Sequence, residues 1–391
     1  MNASILADAL PSYDIGGELG RGGWGVVLAG RHRQLGREVA IKQVAPTFAA
    51  DPGVRRRFVE EARVLASVDH PHVVPVYDFV ERDGLCVLVM ELLPGGTLRA
   101  RMTAGRPRAS HAVALTLACT AGIDAAHRRG VLHRDVKPEN MMFAGTGAVK
   151  VTDFGLAKVV GGSLTLATRA GEVLGTPAYI APEQARGATV SPATDVYALA
   201  TMLYEMLSGT LPFRDDGNPV GLLFKHAFEA PLPLRDAAPS VPAPLASAVM
   251  RGLATDPADR FASAAAFGLA LDAAASDEWG PGWLAAEPVP VMGAGAVVAG
   301  PGGQASGRVR AAPVSSVPLA AVPAAVPAAV PAAVPAAVPA AAEAGSSSPA
   351  EAGAPTAPGE RSWRRVGLAA VAVTVLLLAL VLLGPFVFRT Y

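Results

Sequence analysis

Cysteine is scarce in this 391-residue chain. Cys86 and Cys119 are its only two, and each lies in an apolar run. So few thiols exclude a disulfide-built scaffold and point to a reducing compartment, where both read as small core residues. Net charge is missing as well. Lys plus Arg and Asp plus Glu number 33 each, which leaves no electrostatic case for nucleic acid as the main partner. The first ten residues lack the basic start and long apolar run of a secretory signal, and none is expected. Charge also thins out toward the end. From residue 281 onward there are four acidic and six basic residues, against 29 and 27 before it.

What is present divides the same way. Hydrophobic residues make up 51% of the chain, ample for a core, but the 34 prolines and 41 glycines are unevenly spread. Residues 1–280 read as a soluble globular unit and the last 111 do not. The most informative stretch is His133-Arg134-Asp135-Val136-Lys137-Pro138-Glu139-Asn140. It offers an acid able to take a proton, a cation able to hold phosphate and an amide able to hold a metal. It is too charged, and too close to a proline, for ordinary helix. Asp153-Phe154-Gly155 begins thirteen residues after Asn140. Between them, Met141-Met142-Phe143 and Val149-Lys150-Val151 read as a hairpin turning at Gly145-Thr146-Gly147. A hairpin folds back on itself, so Asp135, Asn140 and Asp153 return to one place. Three oxygen-bearing groups around one point suit Mg²⁺ and phosphate chemistry.

Earlier in the chain, Asp14 to Gly20 and Gly25 to Gly30 read as strands around the glycine-rich turn Gly20-Arg21-Gly22-Gly23-Trp24-Gly25. Glycines let backbone N–H groups approach a phosphate without interference from Cβ. A dinucleotide fold would place a helix directly after this turn, whereas Val26-Val27-Leu28 continues as strand, which favours a phosphate-covering hairpin. Val39-Ala40-Ile41-Lys42 is a third strand ending in a lysine. Alone, that lysine is a solvated surface charge; beside the glycine turn it becomes a phosphate ligand. Asp51 as cap and Pro52 at the first position open a helix with Phe58, Ala62, Leu65 and Ala66 on its buried face. Adjacent Glu60 and Glu61 cannot share a face, so one points at Lys42. Val73 to Val80 and Leu85 to Leu93 complete a five-stranded sheet, and Pro94-Gly95-Gly96 reads as a hinge.

Beyond the hinge the pattern turns helical. Ser110 to Arg129 reads as a long helix capped by Ser110 and stopped by Gly130. Residues 156–180 lack periodicity and read as a loop bearing Ser163, Thr165 and Thr168, closed by Ala181-Pro182-Glu183. Pro192 to Ser208, Val220 to Ala230, Pro244 to Ala254 and Ser263 to Ala273 are helix-like. The expectation is an α+β, two-lobed architecture, with a small β-rich lobe joined near residue 93 to a larger helical lobe.

Together these residues resemble the eukaryotic-like Ser/Thr protein kinases of bacteria. The glycine-rich loop, V-A-I-K, H-R-D-x-K-x-x-N, D-F-G and A-P-E all occur, in order, over residues 13–273. The departures are mild: Val136 stands where leucine is commoner, and Trp24 is bulky for a loop tip. The resemblance implies a kinase fold over 13–275, with lobes of about 13–93 and 94–275. It implies ATP and Mg²⁺ as cofactors, Mn²⁺ being an alternative metal. Leu19, Gly20, Gly22 and Gly25 then cover the nucleotide, while Val27, Ala40 and Met142 sandwich the adenine. Met90 is the gatekeeper, and Glu91 to Leu93 is the hinge strand that bonds adenine. Lys42 holds the α- and β-phosphates and pairs with Glu61, which the family's F-x-x-E-A pattern selects over Glu60. Asp135 accepts the proton of the attacking hydroxyl, Lys137 neutralises the transferring phosphoryl group, and Asn140 and Asp153 bind the metal. His133 and Phe154 are packing residues, Glu183 pairs with Arg260, and Asp195 caps the catalytic loop.

Lys137, together with Thr176 after Gly175, resembles kinases of Ser/Thr rather than Tyr, so proteins bearing Ser/Thr hydroxyls are the expected substrates. Arg134 before the catalytic Asp suits ordering of the loop by a phosphate on Thr168 or Thr165. A homodimer phosphorylating in trans is compatible with this.

Residues 276–362 are expected to be a linker without fixed fold, because Pro-Ala-Ala-Val repeats over 323–338 place proline at every fourth position. Residues 366–388 form an uncharged run of 23, long enough at about 1.5 Å per residue to cross a core of roughly 30 Å. Arg361, Arg364 and Arg365 precede it, so the positive-inside rule leaves the kinase cytoplasmic, with 389–391 as an outer stub and no outer sensor. Two other readings compete: a pseudokinase scaffold, which degraded motifs would mark, and a membrane assembly module built on the tail.

Overall fold

The computed structural model describes residues 3–22, 25–45, 52–82, 84–154 and 177–291. Gly23, Trp24, Asp51, Ser163, Thr165, Thr168, Thr176 and the 366–388 segment lie outside these residues. Helix α1 (Ala3–Ala9), not foreseen in the sequence, precedes the sheet. Five antiparallel strands follow, β1 (Tyr13–Gly22), β2 (Gly25–His32), β3 (Glu38–Val44), β4 (Val76–Arg82) and β5 (Leu85–Glu91), in the order β1-β2-β3-β5-β4. Helix α2 (Pro52–Ala66) lies between β3 and β4. The strand expected from Val73 begins at Val76, one residue after Pro75, which has no N–H to give a ladder. Val73 instead makes a single parallel bridge to Val151.

Period-2 alternation splits the sheet into two buried faces. Val26, Leu28, Val39, Ile41, Val87 and Val89 face outward and are covered by Leu6 and Leu10 of the α1 segment. Ala40, Cys86, Leu88 and Met90 face inward, against Phe58 and Ala62 of α2. Both faces being covered explains why β5 is apolar without interruption. It also puts Lys42, two residues after Ala40, on the inner face.

The larger lobe contains α3 (Leu98–Ala104), α4 (Ala109–His127), the hairpin β6 (Met141–Phe143) and β7 (Val149–Val151), and α5 (Pro182–Ala185). It continues with α6 (Pro192–Ser208), α7 (Pro219–Phe228), α8 (Leu234–Ala237), α9 (Ala243–Gly252) and α10 (Ala264–Trp279). Helix α4 begins at Ala109 with Arg108 at its N-cap and no side-chain capping bond, so Ser110 is not the cap. Among the described residues it is the one helix long and apolar enough to cross a membrane. Its residues 112–126 are buried by the surrounding helices, which makes it the core of this lobe.

The linker expected from residue 276 starts too early. Helix α10 runs on to Trp279, and a 3₁₀ turn at Trp283–Ala286 follows. Trp283 is buried and its Nε1–H donates to Asp272 Oδ1 at 3.2 Å, while Glu287 Oε2 meets His111 Nδ1 at 3.1 Å. Two tryptophans 5.1 Å apart and a buried carboxylate give residues 280–291 their own reasons to pack.

Candidate active site

The site is assembled from backbone outward. At the hinge, Gly95 N–H donates to Phe143 O and Phe143 N–H to Gly96 O, both at 2.9 Å. A Cβ on Gly95 would stand 2.7 Å from Phe143, so only glycine permits this approach. On the other side, Val74 N–H donates to Val151 O and Val151 N–H to His72 O. The β6–β7 hairpin is therefore clamped between the inter-lobe segment and residues 72–74, and it delivers Asp153 to a fixed place. The register of Met141↔Val151, Met142↔Lys150 and Phe143↔Val149 agrees with the turn read at residues 145–147.

The loop preceding the hairpin is held by a buried carboxylate. Asp195 Oδ2 accepts His127 Nε2–H at 2.7 Å and the His133 N–H at 2.8 Å, and its Oδ1 accepts the Arg134 N–H at 2.7 Å. Burial pushes the Asp195 pKa up, but the hydrogen bonds from His127 and from the His133 backbone outweigh it, and the group is held below the usual carboxylate range. His133 donates from Nε2 to Thr152 O at 2.9 Å and accepts the Asp135 N–H on Nδ1 at 3.2 Å. That pairing fixes its neutral tautomer. Burial lowers its pKa in the same sense, and its ring lies 4.7 Å from Phe154. His133 is thus a brace, as is Phe154.

Around this frame the candidate catalytic groups converge. Lys137 Nζ donates to Asp135 Oδ2 at 2.8 Å. Asn140 Nδ2 donates to Asp135 O at 2.8 Å and to Asp135 Oδ2 at 3.1 Å. Lys42 Nζ donates to Asp153 Oδ1 at 2.7 Å. Asp153 has φ +54 and Arg134 φ +62, the only non-glycine residues with positive φ among those described. Such strain of about 1–3 kcal/mol persists where surrounding bonds over-determine the backbone, and it clusters at functional sites. Glu61 is half-buried while Glu60 is exposed, in keeping with Glu61 as the inward member of the pair.

Val27, Ala40, Met90, Leu93 and Met142 belong to one apolar cluster that reaches from the sheet to the hairpin. This gives a flat aromatic ligand two walls. Glu91 Oε2 pairs with Lys150 Nζ at 2.8 Å, tying β5 to β7 beside it. Gly25, at φ +147, would place a Cβ 1.9 Å from Gln43 O, so only glycine fits. A Cβ on Gly20 or Gly22 would meet nothing within 4 Å, which leaves their backbone open on that side. Leu19 is largely exposed on β1.

Glu183, at the start of α5, is pinned to the helical lobe. Arg260 donates to its Oε1 and Oε2 at 2.9 and 2.8 Å, and Thr194 Oγ1 to Oε1 at 2.7 Å. Two further clusters escaped sequence reasoning. Arg99 on α3 bonds Glu139 at 2.8 Å, Glu205 at 2.7 Å and the Tyr179 hydroxyl. Gln184 bonds the Arg134 carbonyl at 2.9 Å. Neither carries a local signal, since the partners lie 40 to 106 residues away.

Comparison with known proteins gives the same assignment. The chain is 38% identical over 258 residues to the serine/threonine-protein kinase PknB of Mycobacterium tuberculosis, covering 65% of this chain and 41% of that one. It is 36% identical over 270 residues to a probable serine/threonine-protein kinase of Corynebacterium efficiens, covering 67% and 40%. The chain thus spans about two fifths of the length of these curated relatives. The crystal structure of the Mycobacterium tuberculosis PknI kinase domain superposes with a TM-score of 0.55 at 30% identity, over 67% of this chain and 96% of that one. Residues 13–266 match the model of the protein kinase domain. With well over half of its residues inside that match, the chain belongs to the protein kinase domain family.

Proposed function

We propose that this chain is an ATP-dependent protein serine/threonine kinase, held at the cytoplasmic face of a membrane. The observation that carries the reading is the convergence of Asp135, Lys137 and Asn140 beside the Lys42–Asp153 pair, in a family whose matched relatives are named serine/threonine-protein kinases. Phosphoryl transfer needs in-line positioning and neutralised oxygens more than covalent chemistry, and this set supplies both.

In this reading Asp135 takes the proton of the acceptor hydroxyl as its oxygen attacks the γ-phosphorus of ATP. Lys137, already on Asp135, neutralises the transferring group. Lys42 turns from Asp153 to the α- and β-phosphates and takes Glu61 as its partner. Gly20, Gly22 and Gly25 let backbone N–H groups lie over the phosphates. The Asn140 amide oxygen and the Asp153 carboxylate form a hard, oxygen-only donor pair. That fits Mg²⁺, which is held by one or two protein groups plus substrate phosphates. Bound there, the metal would supply charge neutralisation at the phosphate oxygens.

Two finer elements belong to the proposal. Phosphorylation of Thr168 or Thr165 activates the enzyme through Arg134, and Thr176 goes with the preference for Ser/Thr acceptors. The uncharged 366–388 run anchors the chain, with Arg361, Arg364 and Arg365 on the cytoplasmic side.

The deciding experiment measures phosphate transfer from radiolabelled ATP to myelin basic protein by the full chain and by Lys42→Met and Asp135→Asn. Transfer by the wild type alone, on Ser and Thr, supports the reading; equal background in all three makes it a scaffold. Alkaline extraction that leaves the chain in the membrane pellet supports anchorage, and release into the supernatant overturns it.

A further inference from the structure

Arg134 adopts φ +62, a left-handed conformation that costs an L-residue with a Cβ about 1–2 kcal/mol. The peptide that follows it carries Asp135, so whatever holds this backbone also aims the Asp135 carboxylate. Two clamps are present. On the N–H side is Asp195 Oδ1 at 2.7 Å. On the carbonyl side is Gln184, whose Nε2 donates to Arg134 O at 2.9 Å. The amide orientation of Gln184 is settled by its second contact, because its Oε1 accepts the Ala181 N–H at 3.2 Å. A carbonyl can only accept and an N–H only donate, so both bonds would be lost if the amide were turned.

Gln184 also stands on a rigid support. It follows Glu183, whose two oxygens are fixed by Arg260 and Thr194. Its own side chain is only half-buried, so it is not needed to fill a core.

We propose that Gln184 is a positioning residue for the transfer reaction: its amide N–H holds the Arg134 carbonyl, locks the left-handed turn before Asp135, and ties the aim of Asp135 to the docking of the Ala181–Glu183 segment. This rests on the kinase reading above. It adds a specific link: one hydrogen bond joins Gln184 to the carbonyl immediately before the proposed base, so undocking the Ala181–Gln184 turn releases the turn that carries Asp135.

Gln184→Glu tests this directly, because it is isosteric and keeps the acceptor for Ala181 while replacing the donor by a carboxylate. In the full chain, with myelin basic protein and ATP, kcat falls about tenfold, the equivalent of one lost hydrogen bond plus a facing oxygen pair. KM for ATP stays at the wild-type value. The deficit relative to wild type narrows as pH falls from 8 toward 6, because the introduced carboxyl regains a donor once it is protonated. Gln184→Leu shows the same loss with no such pH dependence. A kcat equal to wild type in Gln184→Glu overturns the proposal, as does a loss that is independent of pH and tracks a fall in Tm. Hydrogen–deuterium exchange gives a readout without catalysis: amides 133–137 exchange faster in both variants, and unchanged exchange refutes the clamp. If the wild type transfers no phosphate the kinase reading fails, while exchange still decides the positioning.

Discussion

Two ion pairs of nearly equal length do opposite work in this molecule. Arg260 Nη2–Glu183 Oε2 measures 2.8 Å with side chains 0% and 3% exposed. Lys42 Nζ–Asp153 Oδ1 measures 2.7 Å with side chains 14% and 41% exposed. The first is saturated by protein. Arg260 also donates to the carbonyls of Ala193, Ala254 and Thr255, stacks over Tyr197 at 4.8 Å, and leaves Glu183 to share one more donor with Thr194. Burial pushes the Glu183 pKa up, but those donors bring it below the ordinary carboxylate value. The second pair is open to solvent on its carboxylate side, so a ligand can replace either partner. Distance does not separate a structural charge from a functional one here. The number of protein groups that complete each partner does.

Breaking the buried pair has the largest effect on stability. Arg260→Met strands Glu183 without its cation and costs about 3–5 kcal/mol, read as a lower Tm in calorimetry. Lys42→Met inverts the outcome: transfer falls on the order of 10²–10³-fold, as for loss of a transition-state donor, while stability changes by less than about 1 kcal/mol. Equal Tm losses in the two variants would erase the contrast.

Acid probes the cost of burying a titratable group. Burial lowers His226 and His70 to about 4, against an ordinary value of 6.5. The unfolded chain therefore binds more protons between these values. The contribution to stability is full above about pH 6.5 and is lost as pH falls toward 4; for the buried His226 the loss approaches about 1.4 kcal/mol per pH unit, and for the half-buried His70 it is smaller because solvent screens the charge. Thermal melts from pH 7.5 to 5 should show the slope, and His70→Gln should remove part of it. The smallest effect belongs to Arg33–Asp14, 2.9 Å long with side chains 55% and 66% exposed. Arg33→Ala should move stability by less than about 0.5 kcal/mol, and less still in high salt.

Much of the catalytic frame was legible because it is written locally. The β6–β7 hairpin follows from two apolar triplets around Gly145 and Gly147, and α6 begins at Pro192 and ends at Ser208 as its proline and Gly209 require. The roles of Asp195 and of the Glu183–Arg260 pair came from the family resemblance and agree with the geometry. What sequence reasoning missed depends on distant partners. Helix α1 has seven residues, too few for periodicity, and is held by Leu6 and Leu10 against the sheet. The Arg99 cluster joins four segments, none of which signals the others. The end of the domain was misplaced because Glu287 and Trp283 find their partners 176 and 11 residues back. The composition shift that suggested residue 276 registers alanine, not packing.

The two cysteines, first read as compartment markers, divide between the lobes. Cys86 lies inside the sheet cluster and Cys119 inside α4. Burial pushes the Cys119 thiol up to about 12 and raises that of Cys86 in the same sense. Neither is a nucleophile at neutral pH until its surroundings open. The chain therefore carries one native, silent label per lobe. The order in which an alkylating pulse modifies them reports which lobe unfolds first, with no engineered probe.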